Sequence, residues 1–449
     1  MNYSFFIHQK HNWFDNVLNS KKTPLSQGKN STDKDPSVGY RAWPIFVLSF
    51  VRLFYISIFE RALSNYLLWG VNIRESTLGF ISSAGALSYI VAPILGQLLT
   101  RKFLGVRNAL ILSSILTPFL TGAQILYPTP WFLITCRVSL GLTMGLFWPN
   151  CLNLLSKWQK NSSIEKSNKT FTIFNFSWNL GFIFGLPVGF LWAISWNDYS
   201  AMVSSWLLSF LLIPLSFFIN KEENRDIMKD GVIYQTEDPL SHLDIEEDLT
   251  INSQTPMIIY PILFSWASIM FLTISKSTFA FTYPIILRAF EQPPHLTYLV
   301  QWGLQFTQLL GLTLINFIHV YKRKFASLIG IFGVSLIAFT VVLFQDIIYI
   351  SLITAVTGLF IGLIHGVGMK IMLEYGTAEN TSKYSTINEI FIGIGFGFTP
   401  IIAGYVVEIN LYAVHGFIIF LGLILLIFLI YLSRNIKSHK KNLIRLKIG

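Results

Sequence analysis

The sequence predicts an all-α integral membrane protein with twelve transmembrane helices in two pseudo-symmetric six-helix bundles. Three observations predict it. Of 449 residues, 53% are hydrophobic and only 12% charged, with a mean hydropathy of +0.55; a soluble domain carries about 25% charged residues. Apolar runs long enough for a ~30 Å hydrocarbon core recur from Pro44 onward. The runs also fall into two groups that repeat one another's glycines.

The first 43 residues are polar, contain no apolar core of signal-peptide length, and read as a tail. The spans follow at 44–68, 78–99, 106–127, 131–155, 170–194 and 199–219, then 257–287, 297–319, 325–345, 347–373, 384–407 and 411–432. Each is expected to be helical, because a lipid-exposed segment must satisfy its own backbone hydrogen bonds. The domains are therefore a tail (1–43), an N-terminal bundle (44–219), an acidic linker (220–256), a C-terminal bundle (257–433) and a basic tail (434–449). The linker is long and contains "HLDIEEDLT".

Charge orients the chain. One set of connections holds Arg101, Lys102 and Arg107, then Lys157, Lys160, Lys166 and Lys169, then Lys221, Arg225 and Lys229, then Lys322, Arg323 and Lys324, and finally Lys383. Both tails are basic too, whereas the opposite connections hold only Arg74 and Arg288. The positive-inside rule then makes both termini and the linker cytoplasmic, in a multi-pass protein of the plasma membrane. The net charge of +10 does not imply nucleic acid, because the basic residues are dispersed over loops and tails. Cys136 and Cys151 lie fifteen residues apart in one span, about 22 Å along a helix and far beyond disulfide reach.

The halves repeat. Arg137, Gly141 and Gly145 of span 4 align with Gly358, Gly362 and Gly366 of span 10. "TRKF" after span 2 faces "KRKF" after span 8, and "GFIFGLPVG" in span 5 faces "GFGFTPIIAG" in span 11. Parallel repeats are one plan of secondary transporters, with the solute site between the halves.

With these motifs the chain resembles the major facilitator superfamily, over nearly all of its length outside the tails and linker. "GQLLTRKFLGVR" is similar to that family's loop 2–3 signature, with Thr100 where the family usually has aspartate and two extra residues before Gly105. "RVSLGLTMG" resembles its span 4 signature of an arginine followed by glycines at four-residue steps. "GFIFGLPVG" resembles the span 5 signature of antiporters, with Leu186 between Gly185 and Pro187. The resemblance implies alternating access about a midplane site, and places spans 1 and 7 beside a central cavity.

Five basic residues lie inside spans: Arg52, Arg61, Arg137, Lys276 and Lys370. A charge at the bilayer centre costs at least ~2.5 kcal/mol, so each needs a partner or a wet cavity. Arg137 lies about 9 Å in from one end of its span, and Glu60 lies about 24 Å up from the other end of span 1, so the two reach similar depth. They are expected to pair, either as a static bridge or as a coupling pair. Arg61, one residue on, is expected to snorkel to the surface. Arg52 and Lys276, one from each half, are expected to converge on an anionic solute, unless Arg52 pairs with some other in-span group and Lys276 snorkels outward. Gln301, Gln305 and Gln308 share one face of span 8 and suit either the hydroxyls or carbonyls of a solute or interhelical hydrogen bonds. Asn150, Asn153, Asn175 and Asn179 are cavity or gate candidates. At the inner end, Arg101, Lys102, Arg107, Lys370, Glu374 and Glu389 form a loop or gate group, with Lys370 and Glu374 spaced to pair. His365 reads more simply as a packing histidine than as a titrating one. Gly141, Gly145, Gly185, Gly362, Gly366 and Gly404 allow helices to approach closely.

No GxxxxGK[ST] loop, HExxH or CxxC occurs, so neither ATP hydrolysis, a metal site nor another cofactor is expected. The polar residues are scattered over several helices, which argues against an intramembrane enzyme, and a polytopic membrane enzyme or sensor is the alternative of a different class. The expectation is a monomeric secondary transporter of a small organic solute, an organic anion first, coupled to protons or another ion or to exchange. Its partners are then the solute and the lipid bilayer. Proton-driven efflux of lipophilic compounds is the alternative.

Overall fold

A computed structural model describes residues 42–159, 164–220, 260–375 and 381–446. The N-terminal tail, most of the linker and the last three residues lie outside the described residues. All regular structure among the described residues is helical. The N half contains α1 (Trp43–Asn65), α2 (Glu75–Leu99), α3 (Gly105–Leu126), α4 (Pro130–Gln159), α5 (Ile164–Ser195) and α6 (Asp198–Ser209, resuming as Leu212–Phe217). The C half contains α7 (Ile262–Ala289), α8 (Leu296–Leu314), α9 (Arg323–Leu343), α10 (Ile347–Tyr375), α11 (Thr381–Ile409) and α12 (Ala413–Leu446).

Among the described residues, ten stretches are long and apolar enough to cross a membrane, against the twelve expected from sequence. Both differences have physical causes. The expected spans 2 and 3 fall in one 52-residue stretch, Glu75–Leu126. At 1.5 Å per residue it would be about 78 Å long if straight. A wide π-type turn at Thr100–Leu104 and Gly105, with φ 71°, interrupt it, and both resulting helices pack on α4. The expected span 8 is α8, a 19-residue helix whose three glutamines lower its hydropathy.

The halves pack alike. In the N half α1 packs on α5 and α6, α2 on α4, and α3 on α4 and α6; in the C half α7 packs on α11 and α12, α8 on α10, and α9 on α10 and α12. The glycine repeat explains part of this likeness. A Cβ at Gly141 would overlap the Gly85 carbonyl, and one at Gly145 would overlap Ala92 of α2. In the C half, Gly358 and Gly362 stand in the same way against Leu304 and Gln308 of α8. Small residues let backbones close where lipid offers no hydrophobic drive between helices. Gly185 presses on Phe54 and Ser57 of α1, Gly366 on Ile315, and Gly404 on Glu75 and Ser76 across the halves. Two apolar cores result, one centred on Leu48, Ile58, Leu63 and Phe147, the other on Phe264, Leu304, Ile331 and Ile364. Two main helix pairs join the halves, α2 with α11 and α5 with α8.

Candidate functional site

The α5–α8 contact carries the polar centre of the molecule. Lys276 lies midway along α7, and its ammonium donates to Gln305 Oε1 at 2.8 Å and Gln308 Oε1 at 2.7 Å. Both acceptors face Lys276 because residues three apart lie on one helix face. Each glutamine then passes its amide onward. Gln305 Nε2 donates to Asn179 Oδ1 of α5 at 2.9 Å, which joins the two halves. Gln308 Nε2 meets His365 Nδ1 of α10 at 3.3 Å. The His365 ring lies 6.2 Å from that of Trp178, whose indole N–H donates to Asn175. The Phe182 ring lies 5.6 Å from the Lys276 nitrogen. Gln301, a turn up the same face, has a buried Nε2 without a hydrogen-bond partner.

Among the described residues no carboxylate balances this lysine. The ion pairs among the described residues are Arg137–Glu60 and Arg288–Glu75. Among the described residues, Lys276 at mid-depth is held by neutral oxygens and an aromatic face. Such a group attracts an anion in a medium of low dielectric.

Arg52 does not join it. Its guanidinium is fully buried inside the N half, donating to Ser113 Oγ at 3.0 Å and Thr117 Oγ1 at 3.1 Å on α3. It lies 3.9 Å from the centre of the Phe147 ring of α4. The expected convergence of Arg52 and Lys276 is thus replaced by two separate hydrogen-bonded sets, because α1 turns Arg52 towards α3 and α4.

Glu60 and Arg137 meet at 2.8 Å between α1 and α4, with the arginine buried and the glutamate about a third exposed. Arg61 does not snorkel: it donates to the Ala280 carbonyl of α7 at 2.9 Å, where the halves adjoin.

Further contacts close the end of the bundle opposite the basic loops. Asn65 of α1 donates to Asp198 Oδ1, the Pro294 carbonyl and Thr297 Oγ1, each at 3.0 Å. Tyr298 donates to the same Asp198 oxygen at 3.0 Å. Arg288 pairs with Glu75 and donates to the Leu68 carbonyl, while Glu408 accepts from the Ser76 amide. Asn65, Asp198, Thr297, Tyr298 and the Arg288–Glu75 pair were not singled out from the sequence. The only signal there was that polar residues interrupt the ends of apolar runs.

The basic-loop end is tied differently. Tyr89 of α2 donates to Glu389 of α11 at 2.9 Å, and Gln97 to Thr386 at 3.0 Å. Thr100 accepts from Asn150, while Arg107 donates to the Ile219 carbonyl at 2.8 Å, clasping the end of the α6 segment. Arg101 and Lys102 are exposed. Lys370 donates to the Ile315 carbonyl at 3.1 Å. The Glu374 side chain lies outside the described residues, so its expected pairing with Lys370 does too. Cys136 and Cys151 are buried free thiols.

Two pseudo-symmetric helical halves that meet around a polar centre define a membrane transporter. The Major Facilitator Superfamily model matches residues 45–232 and 265–446, and the chain belongs to that family. The structure is similar to that of the nucleoside transporter NupG, with a TM-score of 0.62 at 14% identity over 87% of this chain and 98% of the other. It is similar to a POT family transporter in complex with 5-aminolevulinic acid, with a TM-score of 0.67 at 13% identity over 88% and 96%. A peptide transporter POT in complex with sulfate gives a TM-score of 0.63 at 15% identity over 88% and 95%. At these identities the likeness shows the fold alone. No curated protein matches the sequence.

Proposed function

We propose that the chain is a secondary active transporter of a small organic solute bearing an anionic group, bound at Lys276 and moved by alternating access. The observation that carries this reading is the uncompensated Lys276 ammonium at mid-depth, beside the one hydrogen bond that joins Gln305 to Asn179 across the halves. A solute carboxylate would replace Gln305 and Gln308 as acceptor and release their carbonyls. Gln301, with an amide nitrogen to spare, would hold a carbonyl or hydroxyl of the same solute, and Trp178 and Phe182 offer faces for its apolar part.

The basic loops would lie on the cytoplasmic side of the plasma membrane, with both tails. The end closed by Asn65, Asp198 and Tyr298 would then be external. In the structure the halves would stand with the external end shut. The protein would work as a monomer, since each chain carries both halves of its site.

A thermal-unfolding screen of the detergent-purified protein tests the reading. A ligand at a hundredfold excess over Kd adds about 2.7 kcal/mol to native stability. Small carboxylates are expected to raise Tm in the wild type and to lose that effect in Lys276→Met. Stabilisation by lipophilic cations, undiminished in Lys276→Met, would overturn it and favour efflux of such compounds.

A further inference from the structure

We propose that Glu389 and Tyr89 form a proton-binding site, apart from the solute site, whose occupancy sets whether α2 and α11 stay in contact. Glu389 lies three residues inside the apolar span Thr386–Ile409 of α11, about 4.5 Å along the helix. Its carboxylate accepts the Tyr89 hydroxyl at 2.9 Å and has no ion-pair partner among the described residues. Tyr89 itself is buried. The bond spans the two halves, so it breaks whenever α2 and α11 part.

Among the described residues no fixed counter-charge pairs with the Glu389 carboxylate itself. From α2 the facing titratable group is Tyr89. Behind it, within electrostatic reach of the phenol, lie Arg52 of α1 and Cys151 of α4. From α7 the packing neighbour is Trp266, stacked on Phe391 of α11, while Lys276 of the same helix is engaged with α8. His365 of α10 is turned to Gln308, and His415 of α12 lies against Phe279. Next along α11, the Oδ1 of Asn388 is buried without a partner.

A tyrosine hydroxyl supplies one hydrogen bond but no charge, so it does not neutralise a carboxylate inside a membrane. A proton does. It comes from water at one end of the bundle, forms an O–H bond on one Glu389 oxygen and leaves the other free to accept from Tyr89. The helices then remain packed. Loss of the proton to water on the other side leaves a charge that needs hydration, and water reaches it as α2 and α11 separate. No electron moves, and proton and bond balance on the one carboxylate. The site thereby gives the transporter a proton as its coupling ion.

The test needs no solute, so its failure and the failure of the Lys276 reading are separate results. Nitroxide labels are placed on α2 and α11 at the basic-loop end of the purified protein, with Cys136 and Cys151 replaced by serine. Their distance is followed by pulsed electron resonance from acidic to alkaline pH. In the wild type the distance is expected to lengthen as pH rises. Glu389→Gln keeps an acceptor for Tyr89 and is expected to hold the short distance at every pH. Glu389→Asp retains a titrating group and is expected to keep a pH response. A wild-type distance that does not move with pH, or a Glu389→Gln variant that still moves as the wild type does, would overturn the proposal.

Discussion

Lys276 and Arg52 are both cations near the middle of a first helix of their half, yet their surroundings differ in kind. Arg52 is enclosed: α3 supplies two hydroxyl oxygens, α4 lays Phe147 against the guanidinium, and no part of the side chain is exposed. Lys276 stands at a junction, because its acceptors sit on α8 and one of them bonds onward to α5 of the other half. A charge inside one rigid bundle is invariant as the halves rock. A charge at the junction gains and loses neighbours with every cycle, and only such a charge can exchange a protein partner for a solute. A basic residue near mid-helix is thus enclosed within its bundle in one half and stands at the junction in the other.

Four substitutions break or sharpen that contrast, from the largest effect to the smallest. Lys276→Met removes the charge from the junction, and anion affinity is expected to fall about a hundredfold, the loss of one charge-assisted hydrogen bond of about 2–3 kcal/mol. Equilibrium binding of the solute found in the thermal screen measures it. Glu60→Gln leaves Arg137 buried with its charge unpaired. Because Glu60 keeps about a third of its surface in contact with the surroundings, a loss of about 1–2 kcal/mol in unfolding free energy is expected rather than the full cost of a buried pair. The double variant Glu60→Gln with Arg137→Gln is expected to recover most of it in the same unfolding assay.

Asn179→Ala cuts the Gln305–Asn179 hydrogen bond without touching Lys276. The expected cost is about 1 kcal/mol of preference for the closed arrangement, read as a several-fold rise in labelling of a cysteine placed at Trp178. Arg52→Met is expected to change least. Ser113 and Thr117 already donate to the Thr143 and Ser113 carbonyls, so they lose no obligatory partner. An apolar side chain of similar length in a buried charge's place is often neutral for stability. Anion affinity in this variant is expected to stay within about threefold of wild type, since Arg52 shares no hydrogen-bond partner with Lys276.

The sequence made some of this legible and hid the rest for definable reasons. Membrane-length apolar helices were readable because hydrocarbon thickness dictates length, although ten stretches rather than twelve meet that length and hydropathy among the described residues. The glycine steps of α4 and α10 were readable because only a missing Cβ allows those backbones to meet α2 and α8. Glu60 and Arg137 were readable by counting rise per residue from opposite ends, and depth suffices when two opposite charges are scarce. The direction of Arg52 was not readable. In a water-soluble helix the polar face tells which side points out, but in a helix apolar all round no such contrast exists. Rotation about the α1 axis decides whether Arg52 meets α3 or the cavity, and depth says nothing of rotation. The contacts of Asn65, Asp198 and Tyr298 were hidden for a different reason: they belong to one arrangement of the halves, and a sequence encodes every arrangement at once.

The assignment of Lys276 is tested most directly by an electron cryo-microscopy structure of the protein with the solute from the thermal screen bound. An anionic group within about 3 Å of the Lys276 nitrogen, with Gln305 or Gln308 displaced from it, is the predicted result. A solute seated against Arg52, or against the Glu60–Arg137 pair with Lys276 still held by both glutamines, would contradict it.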